Sequence, residues 1–337
     1  MKAIGYRKSL KISDPESLID VQLPMPEPAP HDLVVEVRAI SVNPADVKVR
    51  ASIDPNGELK VLGWDAAGVV HAVGSAVTLF KPGDEVFYAG SFDRQGANAQ
   101  FHAVDERIVG RKPRSLDYAN AVALPLTSLT AWELLFDRFR VDYGKGGERG
   151  SLLIIGGAGG VGSIATQLAR RLTNLTVIAS ASRPDTRDWV ESMGAHHVID
   201  HTKPLVDQVR AIAPEGVTYV MGLTHTEQHF DEIVELLAPE GHLGLIDDPA
   251  TPPNINKLKM KSLALHWELM FTRSRFQTPS MARQGHILNE VADLVDADVL
   301  RSTIKENYGP INAGNLKRAH ALIESSRSIG KVVLSGF

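Results

Sequence analysis

The stretch Leu152-Leu153-Ile154-Ile155-Gly156-Gly157-Ala158-Gly159-Gly160-Val161-Gly162 decides the fold. An apolar run ends in closely spaced glycines. Beyond them Val161, Ile164, Ala165, Leu168, Ala169 and Leu172 recur at the i, i+3, i+4 spacing of an amphipathic helix. The pattern reads as strand, tight turn and helix, with Gly157-x-Gly159-x-x-Gly162 at the turn. Glycine lets the backbone bend sharply and lets a pyrophosphate come close, while the helix N-terminus behind it offers N–H groups and partial positive charge. The flanking strand and helix make this a dinucleotide site rather than a flexible loop. Its expected contacts are Gly157, Gly159, Gly160, Val161 and Gly162.

A second apolar strand, Thr176–Ser180, follows about twenty residues after the glycines, where a site for NAD places Asp or Glu on the ribose 2′-hydroxyl. Here the chain continues Ser180-Ala181-Ser182-Arg183, with no acid before Asp185. A carboxylate repels a 2′-phosphate, whereas hydroxyls and a guanidinium bind it. Ser180, Ser182 and Arg183 therefore point to NADPH.

With 337 residues the chain has length for two domains. A net charge of −4 without a basic block argues against nucleic acid or a membrane surface as partner. No apolar stretch reaches membrane-spanning length. The start Met1-Lys2-Ala3-Ile4-Gly5-Tyr6 lacks a signal-peptide pattern, so a cytoplasmic location is expected. There are no cysteines, which excludes disulfides, a thiolate nucleophile and cysteine-ligated metals.

The first part of the chain is rich in turns and short β-like runs, including Leu33–Ile40, Ala67–Val73 and Glu85–Tyr88, and suggests a partly open β-barrel. From about residue 125 strands alternate with helical patterns. Further strands are expected at His197–Asp200, Val217–Met221, Gly244–Ile246 and Ser262–Leu265, and helices at Trp189–Met193 and Phe230–Leu237. Six strands with crossovers imply a doubly wound parallel sheet, an α/β architecture. The remaining helices near Ile287–Leu294 and Leu316–Ile323, and the strand Lys331–Leu334, are expected to return to the first domain. The division is thus 1–124 plus 268–337 for a β-rich catalytic domain and 125–267 for the nucleotide domain, with the active site expected between them.

Several segments in this order carry a resemblance: Ser41–Arg50, Gly63–Gly68, Lys81–Val86, Leu124–Trp132, the glycine turn and Gly330–Leu334. The chain resembles the medium-chain dehydrogenase/reductase superfamily, and within it the zinc-free quinone oxidoreductase branch and the group labelled zinc-type alcohol dehydrogenase-like proteins. The resemblance implies a GroES-like barrel, a Rossmann domain and NADPH-dependent reduction of quinones or α,β-unsaturated carbonyls. At the positions where zinc alcohol dehydrogenases carry their catalytic Cys, His and Cys, this chain has Asn43, Trp64 and Leu126. None is a competent zinc ligand, so no metal is expected. His196, His197 and His201 lie at the third strand of the nucleotide domain and read as surface or packing residues.

Without a Lewis acid, hydrogen-bond donors must meet the charge developing on a substrate carbonyl. The resemblance makes Asn43 a candidate donor. Lys48, where related quinone reductases often have Tyr, is a candidate donor or proton relay, and Asp46 either orients Lys48 or holds the loop. Trp64 is expected to wall a planar substrate, and Thr130, Leu245 and Ile246 to lie near the nicotinamide. Relatives pair through the edge strand of the nucleotide sheet, which here makes Ser262–Leu265 the expected homodimer contact. The competing readings are a zinc-dependent alcohol dehydrogenase and a non-enzymatic NADPH-binding protein.

Overall fold

The computed structural model describes residues 1–147 and 149–337. The chain divides into two compact units, Met1–Leu129 with Phe271–Phe337, and Thr130–Met270. The break falls inside the helix Pro125–Trp132, a few residues beyond the boundary expected at 125.

The second unit is built on a six-stranded sheet in the spatial order His197–Ile199, Thr176–Ser180, Ser151–Ile155, Val217–Gly222, Leu237–Leu245, Ala264–Trp267. All its pairings are parallel. Leu152 to Ile155 are buried without alternation, as a strand covered on both faces requires. Leu153, Ile178, Val220 and Leu243 from four adjacent strands join one core cluster. Strand order reverses between Ser151–Ile155 and Val217–Gly222, which places a ligand crevice beyond their carboxyl ends. The helix Gly160–Leu172 turns Ile164, Ala165, Leu168 and Ala169 inward.

Two strands depart from expectation. The fifth begins at Leu237, directly after the helix Thr226–Leu236, rather than at Gly244. The Pro239-Glu240-Gly241 sequence disguises it: Glu240 takes a left-handed φ of 63° and the register shifts around it. The edge strand runs Ala264–Trp267 rather than Ser262–Leu265, because Ser262, at φ 53°, closes the 3₁₀ helix Ile255–Lys261.

The first unit holds a seven-stranded sheet whose centre is Asp32–Val42 paired antiparallel with Asp65–Val73. The C-terminal strand Lys331–Ser335 pairs with the far end of Asp32–Val42, Val332 opposite Val42. The helices Arg283–Asp296 and Ala313–Glu324 belong to the same unit. Among the described residues no helix is long and apolar enough to cross a membrane.

Candidate functional site

In the second unit, each glycine of the turn answers a different demand. Gly156 carries the left-handed backbone, at φ 89°. Its N–H donates to the Ser180 hydroxyl at 2.9 Å, and the Gly157 N–H to the Ser180 carbonyl at 3.1 Å. A Cβ on Gly157 would lie 2.9 Å from that of Ala179. One on Gly162 would fall 2.3 Å from the Gly156 carbonyl oxygen and 2.7 Å from the Gly157 Cα, atoms that cannot swing away. Gly159, the helix N-cap, differs, since a Cβ there would meet only the Gly156 oxygen, at 3.5 Å. The protein thus packs tightly against Gly157 and Gly162 and leaves room at Gly159. The N–H groups of the first helical turn, with Gly160 and Val161 half-exposed, have no carbonyl within the helix to bond. These features suit an anionic diphosphate.

The residues after the second strand take separate roles. Ser180 is buried and its hydroxyl accepts from Gly156, so it braces the turn instead of facing a ribose phosphate. Ser182 and Arg183 are half-buried. The Arg183 backbone is fixed by Thr186, whose hydroxyl donates to its carbonyl at 2.8 Å and accepts its N–H at 3.1 Å. Its Nε lies 3.3 Å from the Asp185 carboxylate. Thr130 is buried on its helix. Leu245 is wholly buried in the core, so Ile246, half-exposed, is the first residue of the fifth strand's end that a ligand can meet. Asp247 accepts from the Thr226 N–H at 3.0 Å and its hydroxyl at 2.7 Å, anchoring the helix that starts there.

In the first unit, Asn43, Asp46, Asp65 and Lys331 form a buried cluster of charged and amide groups. The Lys331 ammonium donates to the Asp65 carboxylate at 3.1 Å, to the Val42 carbonyl at 3.2 Å and to the Asn43 side-chain oxygen. The Asn43 amide nitrogen donates to Asp65 at 2.8 Å and toward the Ser41 carbonyl at 3.4 Å. The other Asp65 oxygen accepts the Leu126 N–H at 2.7 Å, where the helix Pro125–Trp132 opens. Asp46 accepts the N–H groups of Asn43 at 2.8 Å and Gly63 at 2.9 Å. Burial pushes its carboxyl up to about 7, opposed by the Asn43 N–H, by the Lys331 charge and by the Gly63 N–H.

This arrangement revises the reading of the catalytic candidates. Both N–H groups of the Asn43 amide point at protein acceptors, so the amide expected to meet a substrate oxyanion is engaged within the cluster. Asp46 holds the loop that starts the helix Pro44–Ser52, while Lys48 on that helix is exposed. Trp64 packs edge-on against Phe92 at 4.7 Å and Phe271 at 5.6 Å, with its ring N–H donating to the Ser91 carbonyl at 3.3 Å. Asp65 and Lys331 carried no role in the sequence reading. Their signal lies in an acid and a lysine that head mostly apolar strands. Among the described residues no three His, Asp or Glu side chains gather as metal ligands. Zinc does not fit the three matching positions: the Asn43 oxygen faces an ammonium, the Trp64 ring nitrogen is a donor and Leu126 is apolar.

Two family models match the chain: the alcohol dehydrogenase GroES-like domain over residues 29–115 and the zinc-binding dehydrogenase over 193–334. A zinc-type alcohol dehydrogenase-like protein of Staphylococcus aureus is 40% identical over 99% of this chain and 100% of its own length. The NADPH-dependent alkenal/one oxidoreductase of Arabidopsis thaliana is 28% identical over 94% of this chain and 75% of its own. Among solved structures, a Rhizobium etli protein assigned as a zinc-dependent alcohol dehydrogenase superposes with a TM-score of 0.96 at 57% identity, covering 100% of this chain and 98% of that one. The Escherichia coli quinone oxidoreductase complexed with NADPH superposes with a TM-score of 0.84 at 25% identity, covering 99% and 100%.

Proposed function

Because the chain belongs to the medium-chain dehydrogenase/reductase superfamily, in its zinc-type alcohol dehydrogenase-like group, and is an oxidoreductase of that superfamily, we propose that it is an NADPH-dependent reductase of quinones or α,β-unsaturated carbonyls. The observation that carries the reading is the glycine turn, with room at Gly159 and a 2′-phosphate-compatible Ser182-Arg183 beyond the second strand. The Arabidopsis and E. coli proteins, whose substrates are alkenals or enones and quinones, support it.

The residues that would hold the cofactor are Gly159, Gly160 and Val161 at the diphosphate, Ser182 and Arg183 at the 2′-phosphate, and Ile246 toward the nicotinamide. Bound reduced nicotinamide supplies a hydride. The chain's own part is to bind, orient and donate a proton. Arg183 presents a guanidinium on a backbone fixed by Thr186, which favours a dianionic phosphate over a hydroxyl. With Asn43 engaged by Asp65, the exposed Lys48 is the side chain of the first unit suited to donate to the substrate oxygen. Assembly as a homodimer through the edge strand Ala264–Trp267 belongs to the same reading, since that strand pairs with the fifth strand alone in the described sheet and leaves Trp267 exposed.

The test is steady-state turnover with NADPH and NADH against a panel of quinones, enones and simple alcohols. NADPH oxidation with a quinone or enone is expected. NADPH binding without turnover of any of them, or zinc-dependent oxidation of an alcohol, refutes it.

A further inference from the structure

Taking an ammonium out of water costs several kcal/mol, and the cost is offset only where the charge meets a counter-charge and its remaining N–H groups meet acceptors. Lys331 meets both conditions, with three acceptors of which one is a carboxylate. The contacts tie together parts of the chain that sequence keeps far apart, Asp65 and Lys331 being 266 positions distant. They fix the head of the strand Lys331–Ser335, the end of Asp32–Val42, the start of Asp65–Val73 and, through Asp65, the opening of the helix Pro125–Trp132.

We propose that Lys331 is the resident cation of this cluster: a positioning residue whose ammonium orients Asn43 and Asp65 and stands where a divalent ion held by those two side chains would have to bind. Both Asp46 oxygens are taken by backbone N–H groups, so a divalent ion here would meet one carboxylate and a like charge. The Asn43 amide owes its orientation to the same ammonium. Its oxygen faces Lys331 because a cation cannot be approached by an NH2 group, and its nitrogen is thereby turned to Asp65. The proposal stands whether or not the reductase reading does, since it concerns charge and metal rather than turnover.

The experiment measures urea unfolding of the wild type, Lys331→Met, Lys331→Arg, Asp65→Asn and the double variant Lys331→Met with Asp65→Asn. Zinc retained after equimolar incubation and desalting is measured on the wild type. Lys331→Met is expected to lower the midpoint most, because it strands Asp65 without a cation. Lys331→Arg should recover part of that loss by restoring charge. The double variant should lie closer to the wild type than Lys331→Met alone, since a neutral amide in place of the Asp65 carboxylate needs no cation and Asn43 can turn its own amide to meet it. The wild type should retain no stoichiometric zinc. If Lys331→Met does not fold, the double variant decides: a folded double variant supports charge pairing, and an unfolded one overturns the proposal, because removing both charges together would then have restored nothing. Additive losses in the cycle, a Lys331→Met variant as stable as the wild type, or stoichiometric zinc each overturn it as well.

Discussion

The glycine turn of one unit and the lysine cluster of the other solve opposite problems. Around Gly156–Gly162 the backbone is made bare, and the helix start faces outward with N–H groups that its own helix cannot use. Around Lys331 the polar side chains are sealed in, and the hydrogens of the ammonium and of the Asn43 amide have acceptors in the protein. The first arrangement is ready for a ligand because it is unsatisfied. The second is rigid because it is satisfied, so chemically capable residues there act as framework. Residue type alone therefore does not identify a binding group: Asn43 and Asp65 are chemically competent, yet their partners lie within the protein.

The contrast within the turn itself can be broken most sharply by two alanines. Gly162→Ala places a methyl against the Gly156 oxygen and Gly157 Cα, both backbone. Strand and helix must separate, and a loss of about 3 kcal/mol in unfolding free energy is expected, the upper range for overpacking. Gly159→Ala meets one atom at ordinary contact distance and has φ −73°, so it should fold like the wild type while weakening NADPH, because the methyl takes the ligand's space. Urea unfolding and cofactor titration on both variants separate the roles. Equal stability losses would show that the turn does not divide the work this way.

The outward-facing region is sharpened next by Arg183→Ala. Removing a charge-assisted hydrogen bond to a 2′-phosphate should weaken NADPH by about 1.5–3 kcal/mol, with NADH barely changed. The Asp185 carboxylate beside the guanidinium favours the lower part of that range, since it already shares the charge. Fluorescence titration with both cofactors measures it. Parallel losses would mean that Arg183 serves the helix start at Pro184 and not the phosphate.

The same contrast explains what sequence could and could not reveal. The turn was legible because its parts are contiguous and its chemistry lies in what glycine lacks. The six-stranded sheet was legible for a similar reason, each strand being a local apolar run. The cluster was not, because Asn43, Asp65 and Lys331 meet only through strand pairing that joins distant parts of the chain. Ser180 misled for the same reason: its hydroxyl is spent on Gly156, 24 residues earlier. The fifth strand is longer than its sequence suggests because a single left-handed residue, Glu240, interrupts a pattern that otherwise continues.

Within the first unit His320 is the opposite of the Lys331 cluster. Both ring nitrogens are buried on the helix Ala313–Glu324 without a hydrogen-bond partner. Burial, helped by the Arg50 charge, pushes its pKa down from 6.5 to about 3. An unsatisfied buried polar group costs about 1–3 kcal/mol, so His320→Leu, of similar volume, should stabilise the protein by about 1 kcal/mol at pH 8. The pH dependence gives a second handle. The folded ring stays neutral where the unfolded ring takes a proton, so titration costs nothing above pH 6.5 and destabilises the fold progressively as pH falls from 6.5 toward 3. Leucine removes that slope. At pH 5, about 1.5 units below the unfolded pKa, the advantage of the variant should grow by about 2 kcal/mol at 1.36 kcal/mol per unit. Urea unfolding at pH 8 and pH 5 measures both effects. A leucine variant that is less stable at pH 8, or whose advantage does not grow at pH 5, would mean that the ring finds partners in solution and that this unit leaves no buried histidine unsatisfied.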